Sequence, residues 1–323
     1  MRGTALVAIG GNALVTDNEH ASIADQFAAS QQIAASVRTL VEDGWQVVVT
    51  HGNGPQVGFI LRRSDLVARL APEIPRLSLD LCVADSQGGL GYILANSLTN
   101  ELRAARLPAH VAAVITHVVV SSNDPAFQAP SKPIGSFYTQ EEAERLRRSE
   151  GWSVVEDSGR GWRRVVPSPR PLRILELASI AALVREGTVV VAGGGGGIPV
   201  VEHEDGRFTG VEAVVDKDFA SALLASALGA DLLVMTTGVP QVAIDFGTPR
   251  QRFVDRLTVS ETEALLAEGQ FPPGSMGPKV EAALQFLHAG GHEALITSVD
   301  HLAEAVRRGS GTRLVPDRTK AAA

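Results

Sequence analysis

The sequence contains the stretch Val189-Val190-Val191-Ala192-Gly193-Gly194-Gly195-Gly196-Gly197-Ile198-Pro199, in which a β-branched run ends in five glycines. This pattern predicts a buried strand that leaves its sheet through a loop without side chains. Such a loop lets a phosphate or a nucleotide approach backbone N–H groups closely. A flexible surface linker is the alternative for a glycine run. The strand directly before the run and the Ile-Pro after it favour the ligand-binding loop.

Two further glycine turns also follow predicted strands. A strand over residues 4–9 stops at Gly10-Gly11-Asn12, and a strand over residues 46–50 opens into Gly52-Asn53-Gly54. Both turns suit close approach of an anion to the backbone, and Asn53 could donate a hydrogen bond to a carboxylate or phosphate oxygen. An ordinary tight turn is the alternative in each case. The chain has neither G-x-G-x-x-G nor a P-loop pattern, which argues against the standard dinucleotide and P-loop sites.

Composition limits the classes of protein. The 323 residues are 45% hydrophobic, enough for a large α/β core, and the net charge of −7 argues against nucleic acid as a partner. No apolar run approaches the ~18 residues of a membrane span, and the early first strand argues against a signal peptide. The single Cys82 excludes an internal disulfide. The expected location is the cytoplasm.

Lysine is scarce in this chain. There are 25 Arg but only four Lys, at positions 132, 217, 279 and 320. Because arginine serves as the ordinary surface cation here, the lysines are candidates for places where a compact ammonium is needed. Chance scattering of three lysines is the alternative. Lys320 lies in the polar tail over residues 317–323 and is interpreted as incidental. The other three lie in segments flanked by Gly, Pro or Asp, which indicates phosphate chemistry.

Two of these lysines stand at predicted helix starts. Lys217 is flanked by Asp216 and Asp218. Asp218 is well placed to cap the following helix, and two acids flanking a lysine at a helix start would also suit a metal–phosphate site. Lys279 falls in the first turn of a helix, where the macrodipole disfavours a cation. A residue placed against its local preference indicates a functional site.

The chain alternates helical and strand patterns. Hydrophobic spacing predicts helices over 23–43, 79–102, 140–149, 174–186, 219–228 and 280–289, and further strands over 109–120, 232–236 and 293–296. This order predicts a doubly wound, largely parallel sheet with helices on both faces, and ligands at its carboxyl edge. We expect one domain over residues 1–316. Loop-like composition on both sides of the 140–149 helix predicts an inserted lid over about 121–171, with Lys132 at its base.

The motifs together resemble the carbamate kinases, a group within the amino-acid kinase family, over residues 4–316. The resemblance rests on the three glycine segments, on Ser86-Gln87-Gly88 and on Asn123-Asp124-Pro125-Ala126-Phe127. It also rests on Lys132-Pro133-Ile134-Gly135, on the segment Gly161-Trp162-Arg163-Arg164-Val165-Val166-Pro167-Ser168-Pro169, and on residues 210–218 and 274–279.

The resemblance implies phosphoryl transfer between carbamoyl phosphate and ADP, giving ATP and carbamate, with Mg²⁺ and no metal ligand assigned to the protein. It implies a homodimer built from an open three-layer αβα sandwich. Lys132, Lys217, Asp218 and Lys279 would be catalytic. Carbamate and the transferred phosphoryl would be bound by Gly10, Gly11, Asn12, Gly52, Asn53 and Gly54. The nucleotide would be bound by Gly194, Gly195, Gly196, Thr236, Gly238 and Met276.

Two positions depart from the family pattern: Asp85 replaces a usual apolar residue, and Thr248 replaces a frequent Lys near the nucleotide. Two other functions remain as alternatives. One is a kinase for an amino acid or another small acid, which would lack the Lys132 segment. The other is a non-catalytic sensor on the same fold, which would be expected to lose the charged site residues.

Overall fold

Strands and helices alternate through the computed structural model, which describes residues 2–15 (apart from the side chain of Asn12), 22–107, 110–157, 159–272 and 274–317. Its strands are β1 (Gly3–Ile9), β2 (Trp45–His51), β3 (Val111–Ala113), β4 (His117–Val120), β5 (Lys132–Tyr138), β6 (Ser153–Glu156), β7 (Trp162–Val166), β8 (Pro171–Ile174), β9 (Val189–Val191), β10 (Ile198–Glu202), β11 (Phe208–Gly210), β12 (Leu232–Thr237), β13 (Val242–Ile244), β14 (Arg252–Val254), β15 (Arg256–Thr258), β16 (Glu293–Ser298) and β17 (Thr312–Val315). Its α-helices are α1 (Ile23–Glu42), α2 (Gly54–Leu70), α3 (Leu79–Ala104), α4 (Gln140–Glu150), α5 (Leu177–Arg185), α6 (Lys217–Leu228), α7 (Val259–Ala267), α8 (Met276–His288) and α9 (Leu302–Arg308).

The central sheet has eight strands in the order β15-β17-β16-β12-β1-β2-β9-β3. All neighbours are parallel except β16 and β17, which pair antiparallel. The prediction of a largely parallel sheet is therefore confirmed. Because parallel strands end at the same edge, the turns after β1, β2, β9 and β12 all lie on one side of the molecule.

Strand β1 shows why helices cover both faces of the sheet. The side chains of residues 5–9 are fully buried and alternate in direction. Leu6 and Ala8 pack into the core that includes α6 and α8, whereas Ala5, Val7 and Ile9 pack into the core that includes α1 and α3. A strand buried on both faces is uniformly apolar, and this confirms the predicted three-layer αβα arrangement.

A second, four-stranded sheet has the order β11-β10-β4-β8. It explains two wrong predictions. The single strand predicted over 109–120 is two strands in different sheets, since Gln87 holds the chain between them through Thr116: its Oε1 accepts from the Thr116 N–H at 2.8 Å, and its Nε2 donates to the Thr116 carbonyl at 3.0 Å. The helix predicted from residue 174 begins at Leu177, because Ile174 pairs with Val118 in this sheet.

The segment between β4 and β8 carries its own antiparallel sheet, β5-β7-β6, with α4 packed against it. It spans residues 132–166, within the 121–171 segment that composition singled out. Helix α3 runs unbroken through the small residues around Gly88. Among the described residues no helix combines the length and apolar character needed to cross a bilayer.

Candidate active site

A cleft of about 480 Å³ lies at the carboxyl edge of the central sheet, beneath the β5-β7-β6 sheet. Its volume falls in the range of small-molecule sites. Most of the site residues predicted from the sequence line this cleft: Gly10, Gly11, Gly52, Asn53, Gly54, Lys132, Gly195, Lys217, Asp218, Thr236, Gly238 and Lys279. Gly194, Gly196 and Met276 do not line it. The side chain of Asn12 lies outside the described part of the chain.

The turns after β1 and β2 touch each other at the floor of the cleft. The Gly52 N–H donates to the Ile9 carbonyl at 3.0 Å, and a Cβ on Gly52 would lie only 2.8 Å from the nitrogen of Gly11. The Gly10 N–H donates to the Thr236 hydroxyl at 3.0 Å. These turns require glycine because two backbones meet there, and Thr236 braces one of them.

The glycine run is a buried wall and not a linker. Gly195 has a φ of +64°, and a Cβ built on it would lie 2.1 Å from Nδ2 of Asn53. A Cβ on Gly196 would lie 2.4 Å from the Val215 carbonyl oxygen. Gly195 faces the cleft, whereas Gly194 lines a separate cavity of about 260 Å³ behind it. The loop therefore separates two cavities with backbone alone.

The three lysines converge on the first turn of α6. Lys217 and Lys279 donate to the two carboxylate oxygens of Asp218, at 2.5 and 2.9 Å. Lys132 reaches from β5 to Oδ2 of Asp216 at 2.6 Å. Scarcity of lysine in the sequence thus pointed to one cluster, at the amino end of a helix, where anions bind favourably.

Asp216, and not Asp218, caps α6. Its Oδ1 accepts from the Asp218 N–H at 2.8 Å, so the helix begins at Lys217 and not at residue 219 as predicted. The carboxylate of Asp218 is thereby left to hold the two lysines. The capping alternative for Asp218 is wrong. Asp216, which the sequence suggested only together with Asp218 as part of a metal–phosphate site, is the residue that caps the helix.

Burial sets the charge states of the cluster. It lowers the pKa of Lys217 to about 8, although the adjacent Asp218 carboxylate opposes this shift. Burial would raise the pKa of Asp218, but its ion pairs with Lys217 and Lys279 outweigh this and hold it well below its usual range. The pKa of Lys279 is raised, because the attraction of Asp218 exceeds the effect of burial. Asp218 is therefore ionised at neutral pH. Lys217 is the lysine whose pKa is lowered towards neutral pH.

The β5-β7-β6 sheet contributes further cleft residues that the sequence did not single out: Asp157, Arg160 and Arg163. Arg163 lies in the segment over residues 161–169 that carries the family resemblance, but that segment gave it no role among the 25 arginines of the chain. The two departures from the family pattern stand apart from the cleft. Asp85 is exposed on α3, and the Thr248 hydroxyl donates to the Asp245 carbonyl within an exposed turn.

An open, mostly parallel αβα sheet with glycine turns and buried lysines at its carboxyl edge defines a phosphate-binding α/β protein. The family model described as "Amino acid kinase family" matches residues 3–298, and the chain belongs to this family.

The chain is similar along its length to proteins named for one member of the family. It is 45% identical over 316 residues to "Carbamate kinase-like protein YahI" of Escherichia coli (strain K12), covering 98% of this chain and 99% of that protein. It is 45% identical over 311 residues to "Carbamate kinase" of Clostridium perfringens (strain 13 / Type A), covering 96% and 99%. The solved structure "Carbamate kinase from Giardia lamblia bound to AMP-PNP" superposes with a TM-score of 0.87 at 38% identity, covering 98% and 99%.

Proposed function

We infer that this protein is a phosphotransferase that transfers a phosphoryl group between carbamoyl phosphate and ADP, giving ATP and carbamate. The observation that carries this inference is the set of three lysines and Asp218 in one cleft, in a chain 45% identical to a carbamate kinase over almost its full length. A non-catalytic sensor would have no need of this buried charge.

The chemistry of the cleft suits phosphoryl transfer. In that reaction the protein mainly positions the reactants and stabilises charge on the transferred oxygens. We propose that Lys217 and Lys279 hold the phosphates, with Asp218 fixing both ammonium groups, and that Lys132 reaches the transferred phosphoryl from the β5-β7-β6 sheet. The backbone of the Gly10–Gly11 and Gly52–Gly54 turns would bind carbamate and the phosphoryl oxygens.

The nucleotide would lie along the walls that follow β12 and precede α8. Gly238 and Ser275 line the cleft there. We propose that the β5-β7-β6 sheet is a lid over these groups, which closes to exclude water from the reactive phosphate.

Magnesium would enter bound to the nucleotide. Among the described residues no three His, Cys, Asp or Glu side chains are grouped to hold a metal ion, and lysines occupy both oxygens of Asp218. Mg²⁺ commonly takes most of its ligands from phosphates and water, so this donor set fits a metal carried by the substrate. When bound, it neutralises charge on the nucleotide phosphates.

We also propose a cytoplasmic homodimer. Beside the edge strand β3, the side chains of Tyr92 and Ile115 are about half exposed or more, which supports burial of this face against a second copy.

The activity is tested by coupled assay of ATP formation. With Mg²⁺, ADP and carbamoyl phosphate, ATP should form, and chelation of the metal should abolish it. Acetyl phosphate should be used poorly, because its methyl group, unlike the carbamoyl NH2 group of similar size, can donate no hydrogen bond. Equal or faster phosphorylation of an amino acid by ATP would instead identify an amino-acid kinase, and no turnover with any of these would favour the sensor.

The pH dependence of kcat/KM for carbamoyl phosphate should show the titration of Lys217. Its pKa is lowered to about 8, so the ammonium is charged below this pH and lost above it. We expect kcat/KM to fall as the pH rises through about 8. The substrate phosphates ionise near pH ~6 and do not explain a fall there. Melting temperatures over pH 7–9.5 control for unfolding, and a flat profile up to about pH 9.5 would contradict the role of Lys217.

A further inference from the structure

Arg163 on β7 has a buried guanidinium with one edge unused. Its side chain is 9% exposed, and its Nη1 donates to Oδ2 of Asp157 at 3.1 Å. Its Nε and Nη2, both buried, have no hydrogen-bond partner. These two nitrogens form the side of a guanidinium that binds a carboxylate through two parallel hydrogen bonds. A buried charged group left half unsatisfied is costly, so this edge calls for a ligand.

The unused edge lies at the amino end of α2. A Cβ built on Gly54 would be 3.7 Å from Nη2 of Arg163. Asn53 at the helix N-cap makes no capping side-chain hydrogen bond, and the first turn contains no acidic residue. The positive end of a 17-residue helix and an arginine would repel each other unless an anion joined them. Arg163 and Gly54 both line the cleft.

We propose that Arg163 binds the carbamate part of the substrate and stabilises it as the leaving group. This assignment rests on the proposed function. In ATP formation an oxygen of the ADP β-phosphate forms the new P–O bond, and the P–O bond to the carbamoyl group breaks. The electron pair of that bond stays on the carbamate oxygen, so the neutral carbonyl group becomes a carboxylate. Its charge spreads over two oxygens that match Nε–H and Nη2–H.

Two features fit this role. Arginine offers a planar fork that lysine lacks, which suits the two oxygens of a carboxylate better than the single ammonium of Lys132, Lys217 or Lys279. Gly54 carries no side chain, so none presses on Nη2 from this side. Because both nitrogens are covered in this conformation, the β5-β7-β6 sheet that carries Arg163 has to shift to admit the substrate.

Substitution of Arg163 should affect the carbamoyl substrate and spare the nucleotide. We expect Arg163→Ala to lower kcat for ATP formation by about 10²–10³, with KM for ADP changed less than about twofold. Arg163→Lys should recover little, since a single point charge cannot contact both oxygens. Guanidinium ion added to Arg163→Ala should restore part of the turnover, and it should not help Lys217→Ala.

The next residue provides a matched control. Arg164 does not line the cleft; its guanidinium lies 4.9 Å from the Trp152 ring centre and 3.9 Å from Asp65. Arg164→Ala removes the same side chain from the same strand, and its kcat should stay within about threefold of the unmodified protein. If Arg163→Ala lowers kcat no further than Arg164→Ala, or raises only KM for carbamoyl phosphate, the leaving-group role is wrong.

Assays of the unmodified protein separate a failure of the Arg163 role from a failure of the proposed activity. Active unmodified enzyme with an equally active Arg163→Ala variant would refute the role of Arg163 and keep the proposed function. Absence of ATP formation in the unmodified enzyme would refute the function. Binding of carbamoyl phosphate then tests whether Arg163 contacts the substrate. Carbamoyl phosphate should raise the melting temperature of the unmodified protein and not that of Arg163→Ala. Equal shifts in the two proteins would overturn the role of Arg163.

Discussion

Asp218→Asn is expected to reduce ATP formation by about 10²–10³ at pH 8 and by much less at pH 6.5. The carboxylate of Asp218 holds Lys217 and Lys279 and raises the pKa of Lys217 against the effect of burial. Without it, Lys217 has a pKa below about 8 and is neutral at pH 8, so the site loses a cation as well as its positioning. Lowering the pH returns the proton to Lys217 but does not restore the geometry.

The measurement is kcat/KM of the variant and the unmodified enzyme at both pH values. The variant should also melt at a lower temperature, because breaking a buried ion pair destabilises a protein by about 3–5 kcal/mol. Asp205→Asn is the control, since it removes an exposed ion pair with Arg207 and should leave turnover unchanged. A defect of equal size at the two pH values would contradict the role given to the charge of Lys217.

Lys132→Arg should be nearly as damaging as Lys132→Ala, with a loss of about 10²–10³ in kcat for each. Lys132 is the first residue of β5 and lies between Pro130 and Pro133, so its backbone position is restricted. Its Nζ donates to Oδ2 of Asp216 at 2.6 Å. A guanidinium is wider and directionally fixed, so it keeps the charge but misplaces it. Misplacement of ~1 Å can cost ~10²-fold in rate.

Turnover and melting temperature of both variants test this expectation. Lys320→Arg makes the same exchange near the carboxyl end of the sequence and should behave as the unmodified enzyme. Both variants at position 132 should retain binding of ADP. An arginine variant with near-normal turnover would show that net charge suffices at this position and that the scarcity of lysine was misleading.

Periodicity and glycine turns predicted the layers and the edge of the sheet that carries the site, because burial on both faces of β1 imposes a continuous apolar run. The lysines predicted the charged cluster because lysine is rare in this chain, where arginine is the usual cation. The break between β3 and β4 could not be predicted, since it depends on hydrogen bonds from Gln87, distant in sequence.

The remaining site residues depend on tertiary contacts that leave no local pattern. Asp216 caps α6 and receives Lys132 from a segment 84 residues away. Arg163 belongs to the motif over residues 161–169, but only the fold shows that two of its guanidinium nitrogens have no hydrogen-bond partner. The bounds of α5 were wrong because pairing of β8 with β4 overrode the helical spacing.

The wall formed by Gly193–Gly197 has a consequence for the entropy of binding. A site lined by long side chains loses rotamer freedom when a ligand arrives, at about 0.5–1.5 kcal/mol for each side chain that becomes immobile. Glycine has no rotamers to lose, and these five residues are already buried in fixed conformations. Their backbone entropy is lost on folding and not on binding. A ligand that contacts this wall therefore meets a surface that needs no further ordering.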